Sequence, residues 1–230
     1  MSRSRIRALI GVLLALLAAC GEAPAPAPKP AHPAGTVLVF DGLPIRAEEV
    51  DVVASWFAQL EPRNSLEQLR RLALTNVIFP RLAATRIDPA RREQAKLLAE
   101  SYRKALSEGT ELGGPLAGPL LETRSGRMLD LGMEIWNAAL ELPLGEWSAV
   151  LETAGAFHLV RPVKHGAGDT PALIELTVEV YDFPYLDPEH VRTQIREQLD
   201  RSRLESVDPA WWELVPTAWR HRLRGIDQKP

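Results

Sequence analysis

The sequence predicts an α+β fold in which a helical region gathers around a small antiparallel sheet. Three observations predict it. Apolar residues recur at three- and four-residue spacing between 46 and 109, and again between 187 and 206, which places them on helix faces. Between Ala172 and Phe183 the pattern changes to strict alternation. Ile174, Leu176, Val178 and Val180 point one way and Glu175, Thr177 and Glu179 the other, as in a strand with one buried face. No repeat of solenoid length accompanies either pattern.

The chain opens with Arg3, Arg5 and Arg7 and then an unbroken apolar run from Ala8 to Ala19. Twelve residues are too few for a hydrocarbon core that needs about 20. A positive flank, a short apolar centre and small residues at its end describe an export signal over residues 1–19. Leu17-Ala18-Ala19-Cys20 resembles the lipobox of bacterial lipoproteins, which implies that Cys20 is acylated and becomes the N-terminus. Residues 20–35 then form the lipid anchor and a Pro/Ala tether, extended at roughly 3 Å per residue. Gly21, in place of the aspartate of inner-membrane retention signals, implies the periplasmic face of the outer membrane.

Cys20 is the only cysteine, so an exported domain has no disulfide framework and no thiolate metal cluster. The histidines His32, His165, His190 and His221 are scattered without ligand spacing, and neither metal nor cofactor is expected. Removing residues 1–19 takes away three arginines and no acid, moving the formal charge from −3 to −6. That balance gives no encouragement to nucleic-acid binding.

Beyond the tether, Thr36 to Ile45 reads as a strand, an Asp-Gly turn and a returning strand. Val50, Val53, Phe57 and Leu60 mark a first helix, broken at Glu61-Pro62. Ser65 with Gln68, or Asn64 with Glu67, caps a second helix that carries Leu66, Leu69, Leu72 and Ala73 to about Ala84. Pro80 is expected to kink it or end it early. Asp88-Pro89 opens a third helix to Leu106, closed by Gly109. Glycines and prolines between 110 and 125 read as a loop. Met128–Leu131 is expected as a short strand, Met133–Leu142 as a short helix, and Trp147–Glu152 and Phe157–Val163 as two strands. A fourth long helix starts at Asp187-Pro188 and carries Val191, Ile195, Leu199 and Leu204. Trp211, Trp212 and Trp219 read as core-closing aromatics rather than a client-binding patch.

The stretch from Leu142 to Val160 resembles the closing segment of parvulin-type peptidyl-prolyl isomerases. Gly145, Glu146, Ser148, Thr153, Phe157, His158, Leu159 and Val160 fall in the order of that family's motif. Residues 36–110, opening on Val-Phe-Asp-Gly-Leu-Pro-Ile, are similar to the helical, chaperone-like region of SurA- and PrsA-type periplasmic foldases. The resemblance implies a degenerate, reduced parvulin domain over 111–185 and a C-terminal helix with a Trp-rich tail over 186–230. That helix would pack back onto the N-terminal ones.

The resemblance also implies a site. His158 and Thr153 correspond to the closing histidine and its threonine partner, while Leu131, Ile135 and Phe157 fall at or beside the apolar pocket that holds proline. Two departures matter: Ile135 stands where an aromatic is usual, and no histidine lies between Asp88 and Met128 to supply the first of the family's histidine pair. His158 therefore reads either as an active-site residue or as a half-buried strand histidine bonded to backbone. Glu175 and Glu179 read as a strand's wet face. The function implied is a lipid-anchored foldase or chaperone that binds unfolded or extended polypeptide clients, with little isomerase activity. The alternative is a non-catalytic assembly lipoprotein dedicated to one envelope partner.

Cys20→Ser is expected to release the chain from the membrane fraction while leaving the folded part soluble. Firm membrane association of that variant in fractionation would refute the lipobox reading.

Overall fold

The computed structural model describes residues 32–110 and 118–223. Cys20 and the signal and tether expected before residue 32 lie outside the described residues. So do residues 111–117 of the Gly/Pro-rich stretch.

Strands β1 (Thr36–Phe40) and β2 (Leu43–Arg46) form a hairpin. Asp41 and Gly42 both have positive φ, 47° and 79°, as a two-residue turn matching strand twist requires. All five β1 residues are buried, as a strand covered on both faces must be. β1 pairs on its other edge with β7 (Leu204–Ser206), Phe40 opposite Leu204. This differs from the helix expected through Leu204. Helix α7 (Val191–Leu199) stops sooner, where Ser202 Oγ donates to the Gln198 carbonyl at 2.9 Å. Asp187 and Pro188 lie in the turn before it, with Glu189 N–H donating to Asp187 Oδ1 at 3.0 Å. α7 packs on α3 of the N-terminal helices.

Helix α1 (Ala47–Leu60) buries Val50, Val53 and Phe57. Ser65 and Gln68 form the capping box of α2 (Leu66–Ala73): Gln68 N–H donates to Ser65 Oγ at 3.3 Å, and Ser65 N–H to Gln68 Oε1 at 2.8 Å. Leu66, expected on the apolar stripe, is exposed. The helix does not end at Pro80. It widens into one π-helical stretch, Leu74–Ile78, where Phe79 N–H reaches the Leu74 carbonyl. A π turn absorbs the donor that proline lacks. Helix α3 (Phe79–Ile87) then carries the proline in its first turn. Asp88 caps α4 (Pro89–Glu108) through Arg91 N–H at 2.9 Å, and Gly109 ends it with φ 66°. Ala95, Ala99 and Ala105 bring α4 close to the second sheet.

That sheet runs β3-β6-β5-β4, all antiparallel. β3 (Leu121–Gly126) occupies sequence expected as loop. It is a polar, mostly exposed edge strand, so it carries no apolar alternation to betray it. Met128–Leu131 is helix α5 rather than a strand. Its apolar pair sits at i, i+3, and Arg127 N–H is capped by Asp130 Oδ2 at 2.9 Å. Helix α6 is Met133–Glu141. Strand β4 shortens to Leu151–Thr153, because at Ser148 the side chain takes over the pairing. Ser148 N–H donates to the Val160 carbonyl at 2.8 Å, while Val160 N–H donates to Ser148 Oγ at 3.0 Å. β5 is Ala156–His165. β6 is Leu176–Pro184, since Pro171–Leu173 folds into a 3₁₀ turn, and it lies inside the sheet rather than at an edge.

The second sheet separates two cores. Phe157, Leu159 and Phe183 face α4 and join the large core of β1, α1–α4, α7 and the C-terminal helices α8 (Pro209–Leu214) and α9 (Thr217–Arg222). Trp211 closes that core, and Trp219 packs on Phe79 with centroids 5.5 Å apart. On the other face Val160, Leu176, Val178 and Val180 meet Met128, Leu131, Ile135, Trp136 and Ala139 of α5 and α6.

Val178 is fully buried in this second core. Val178→Asp should cost about 3–5 kcal/mol, the scale of an uncompensated buried charge. An unchanged melting temperature would refute this packing.

Candidate functional site

His158 and Asp182 stand directly opposite each other on β5 and β6, at the end of the second core's face. Along β6 the apolar series Leu176, Val178, Val180 is followed at the next position of the same face by Asp182. His158 Nδ1 lies 2.6 Å from Asp182 Oδ1, and His158 Nε2 lies 2.8 Å from Thr153 Oγ1 on β4. The second Asp182 oxygen takes an ion pair from Arg124 of β3, whose guanidinium also holds Glu122 Oε2 at 2.7 Å. The polar row thus crosses all four strands.

The ring's Nδ1 proton follows from this order. Burial opposes ionisation of Asp182, but the hydrogen bond and charge of His158, then those of Arg124, outweigh it and hold the carboxyl below its ordinary range. An ionised carboxylate only accepts, so His158 Nδ1 carries a proton. Nε2 lies 2.8 Å from Thr153 Oγ1, and either atom can donate across that contact; when Nε2 donates, the Thr153 hydroxyl proton turns to the Ala156 carbonyl at 3.5 Å.

The turn that carries Thr153 is clamped from behind. Tyr185 is fully buried. Its hydroxyl accepts Gly155 N–H at 3.2 Å and lies 3.3 Å from the Thr153 carbonyl and 3.4 Å from Glu152 Oε1. Burial, then the Glu152 charge, pushes its pKa up to about 12. Gly155 has φ 113°, and a Cβ there would meet Val191 Cγ2 at 2.8 Å, so only glycine fits between turn and helix. Glu152 is held by Arg92 of α4 through bonds of 2.6 and 2.7 Å.

A cavity of about 240 Å³ opens beside His158 and Asp182, walled by Ala154, Gly155, Ala156, Pro184, Leu186, Pro188 and Val191. A second, of about 350 Å³, lies across Asp182 and Pro184 against the start of α4. Of the residues singled out in the sequence, the structure brings together His158 and Thr153. Leu131 and Ile135 are sealed in the second core, and Phe157 is buried on the opposite sheet face, 5.6 Å from Tyr185. His158 is bonded to side chains, Thr153 and Asp182, rather than to backbone. Glu179 pairs with Arg161, and Glu175 precedes the strand.

Asp182, Arg124, Tyr185 and Gly155 were not singled out in the sequence. Asp182 had a legible signal, a charge on the alternation's buried face; the reach of Arg124 from a strand read as loop had none. Among the described residues no group of three or more His, Cys, Asp or Glu is placed to hold a metal. No helix of the described residues is long and apolar enough to cross a membrane. No protein-family model, curated protein or solved structure matches this chain.

Because its folded pKa is depressed, Asp182 contributes stability above its ordinary value of 3.8, and this is lost as pH falls through the folded value. Asp182→Asn should flatten the acid limb of the melting temperature against pH below about pH 4. Parallel acid limbs for wild type and variant would show that the pair contributes nothing.

Proposed function

We propose that this chain is a lipid-anchored foldase or chaperone on the periplasmic side of a bacterial membrane, probing extended or unfolded exported polypeptides with the surface around His158. The observation that carries this reading is the Thr153–His158–Asp182 row standing beside a cavity with mostly apolar walls. Apolar walls bind side chains of an unfolded chain through the area they remove from water. The parvulin-like motif and the lipobox-like N-terminus support the same assignment.

The chemistry available is modest. Rotation of an X-Pro bond passes a barrier of ~18–20 kcal/mol and needs no proton transfer, only tighter binding of the twisted amide. Stripped of water, the twisted amide loses less than the planar, more polar one, so a dry groove favours it. His158 has both ring nitrogens engaged, by Asp182 and by Thr153, so it gives the groove a fixed wall rather than a free donor. The burial of Leu131 and Ile135 in the core favours binding over catalysis, because the proline-holding surface the resemblance calls for is closed by packing.

The row also has the order of a nucleophile, base and acid relay. Thr153, however, is not among the residues that line the cavity, which disfavours attack on a bound carbonyl.

The mature chain should suppress aggregation of an unfolded client. Leu98→Glu and Val191→Glu, on either side of the groove, should weaken this about fivefold, equivalent to ~1 kcal/mol. His158→Ala should change X-Pro isomerisation by less than about tenfold, or ~1.4 kcal/mol. Full protection by both groove variants, with melting temperatures unchanged, would defeat the proposal. Rapid isomerisation abolished by His158→Ala would replace it with an enzyme.

A further inference from the structure

The two cavities share Asp182 and Pro184 in their linings and so adjoin at the C-terminal end of β6; together they are the groove. One lobe lies against the β4–β5 turn and the start of α7, walled by Leu186, Pro188 and Val191. The other lies against the first turns of α4, with Ala95, Leu98, Pro119 and Phe183 as apolar wall and Arg91 and Gln94 at its rim.

The charges along this groove are unequally satisfied. Asp182 has one oxygen on His158 and the other on Arg124, so its charge is already compensated from both sides. Arg92, the neighbour of Arg91, is spent on Glu152. Arg91 is exposed and forms no ion pair among the described residues. Asp187 feels its field, but that carboxylate bonds His190 Nδ1 at 2.8 Å and Glu189 N–H at 3.0 Å. The groove therefore offers apolar walls in both lobes and one uncommitted cation at one end.

Resting on the function proposed above, we infer that the groove selects extended segments in which an acidic residue lies a few positions from an apolar one. The apolar side chain enters the lobe beside Val191, and the acid meets Arg91. In an extended chain alternate side chains point the same way, which sets the test at residues two positions apart.

The test uses the full chain and two fluorescein-labelled peptides that differ only in Glu or Lys two positions from a central Leu-Pro, followed by anisotropy. The Glu peptide should bind about two- to fivefold tighter, the range for a solvent-exposed ion pair, and high salt should erase the difference. Arg91→Glu should reverse the preference. Equal binding of both peptides, or a preference that survives Arg91→Glu, overturns the charge selection while leaving the groove in place. Failure of both peptides to bind overturns the groove itself and the function built on it.

Discussion

The register of β5 on β6 is the constraint on which the rest of the molecule hangs. Nine residue pairs run from Ala156 opposite Pro184 to His165 opposite Leu176, with one irregularity after Pro162. A one-residue slip turns every side chain to the other face. Val178 and Val180 would leave α6, Phe183 would leave α4, and Asp182 would no longer face His158. Each fully buried aliphatic side chain contributes about 1.5–3 kcal/mol, more than a partly exposed ion pair. The aliphatic pattern therefore selects the register, and the polar row is carried into place by it. The irregularity falls where Pro162 has no donor to give, next to exposed Val163, which confines the disturbance to the strand's far end.

The polar row grades from dry to wet. The His158 side chain is 9% exposed, Asp182 and Arg124 about a third, and Glu122 more than half. Such a gradient lets the carboxylate keep its charge near a buried ring, because its far oxygen is compensated by a guanidinium close to solvent. The row's main effect is geometric. It holds the His158 ring in one orientation, with its Nδ1 proton on Asp182, while Tyr185 and Gly155 hold the turn that presents Thr153.

Much of the fold was legible because its signals are local. The Asp-Gly hairpin, the Ser65–Gln68 box, the Asp88-Pro89 start and the Gly109 stop each depend on residues within a few positions of one another. The alternation ending at Phe183 identified the principal strand, although its start was placed early. What could not be read depends on distant partners. β3 is polar and finds its identity only by pairing with β6. Leu204 has the apolar character of a helix stripe, yet it serves a strand because Phe40 is waiting for it. The same holds at the site. Thr153 and His158 are five residues apart and belong to one motif, whereas Asp182 meets His158 only across the sheet, and Leu131 and Ile135 were claimed by packing.

The strand β1 lies between β2, its immediate neighbour in the chain, and β7, whose Leu204 is more than a hundred and sixty residues from Phe40. A fully buried strand cannot be left with one open edge, so the first strand among the described residues must wait for the last one. The N-terminal hairpin is thus an unfinished surface for most of the chain's elongation. Folding of this half is governed by a long loop closure, whose entropy must be met before β1 gains its second partner. A truncation that removes β7 would be felt first in β1, as an exposed apolar edge at the opposite end of the sequence.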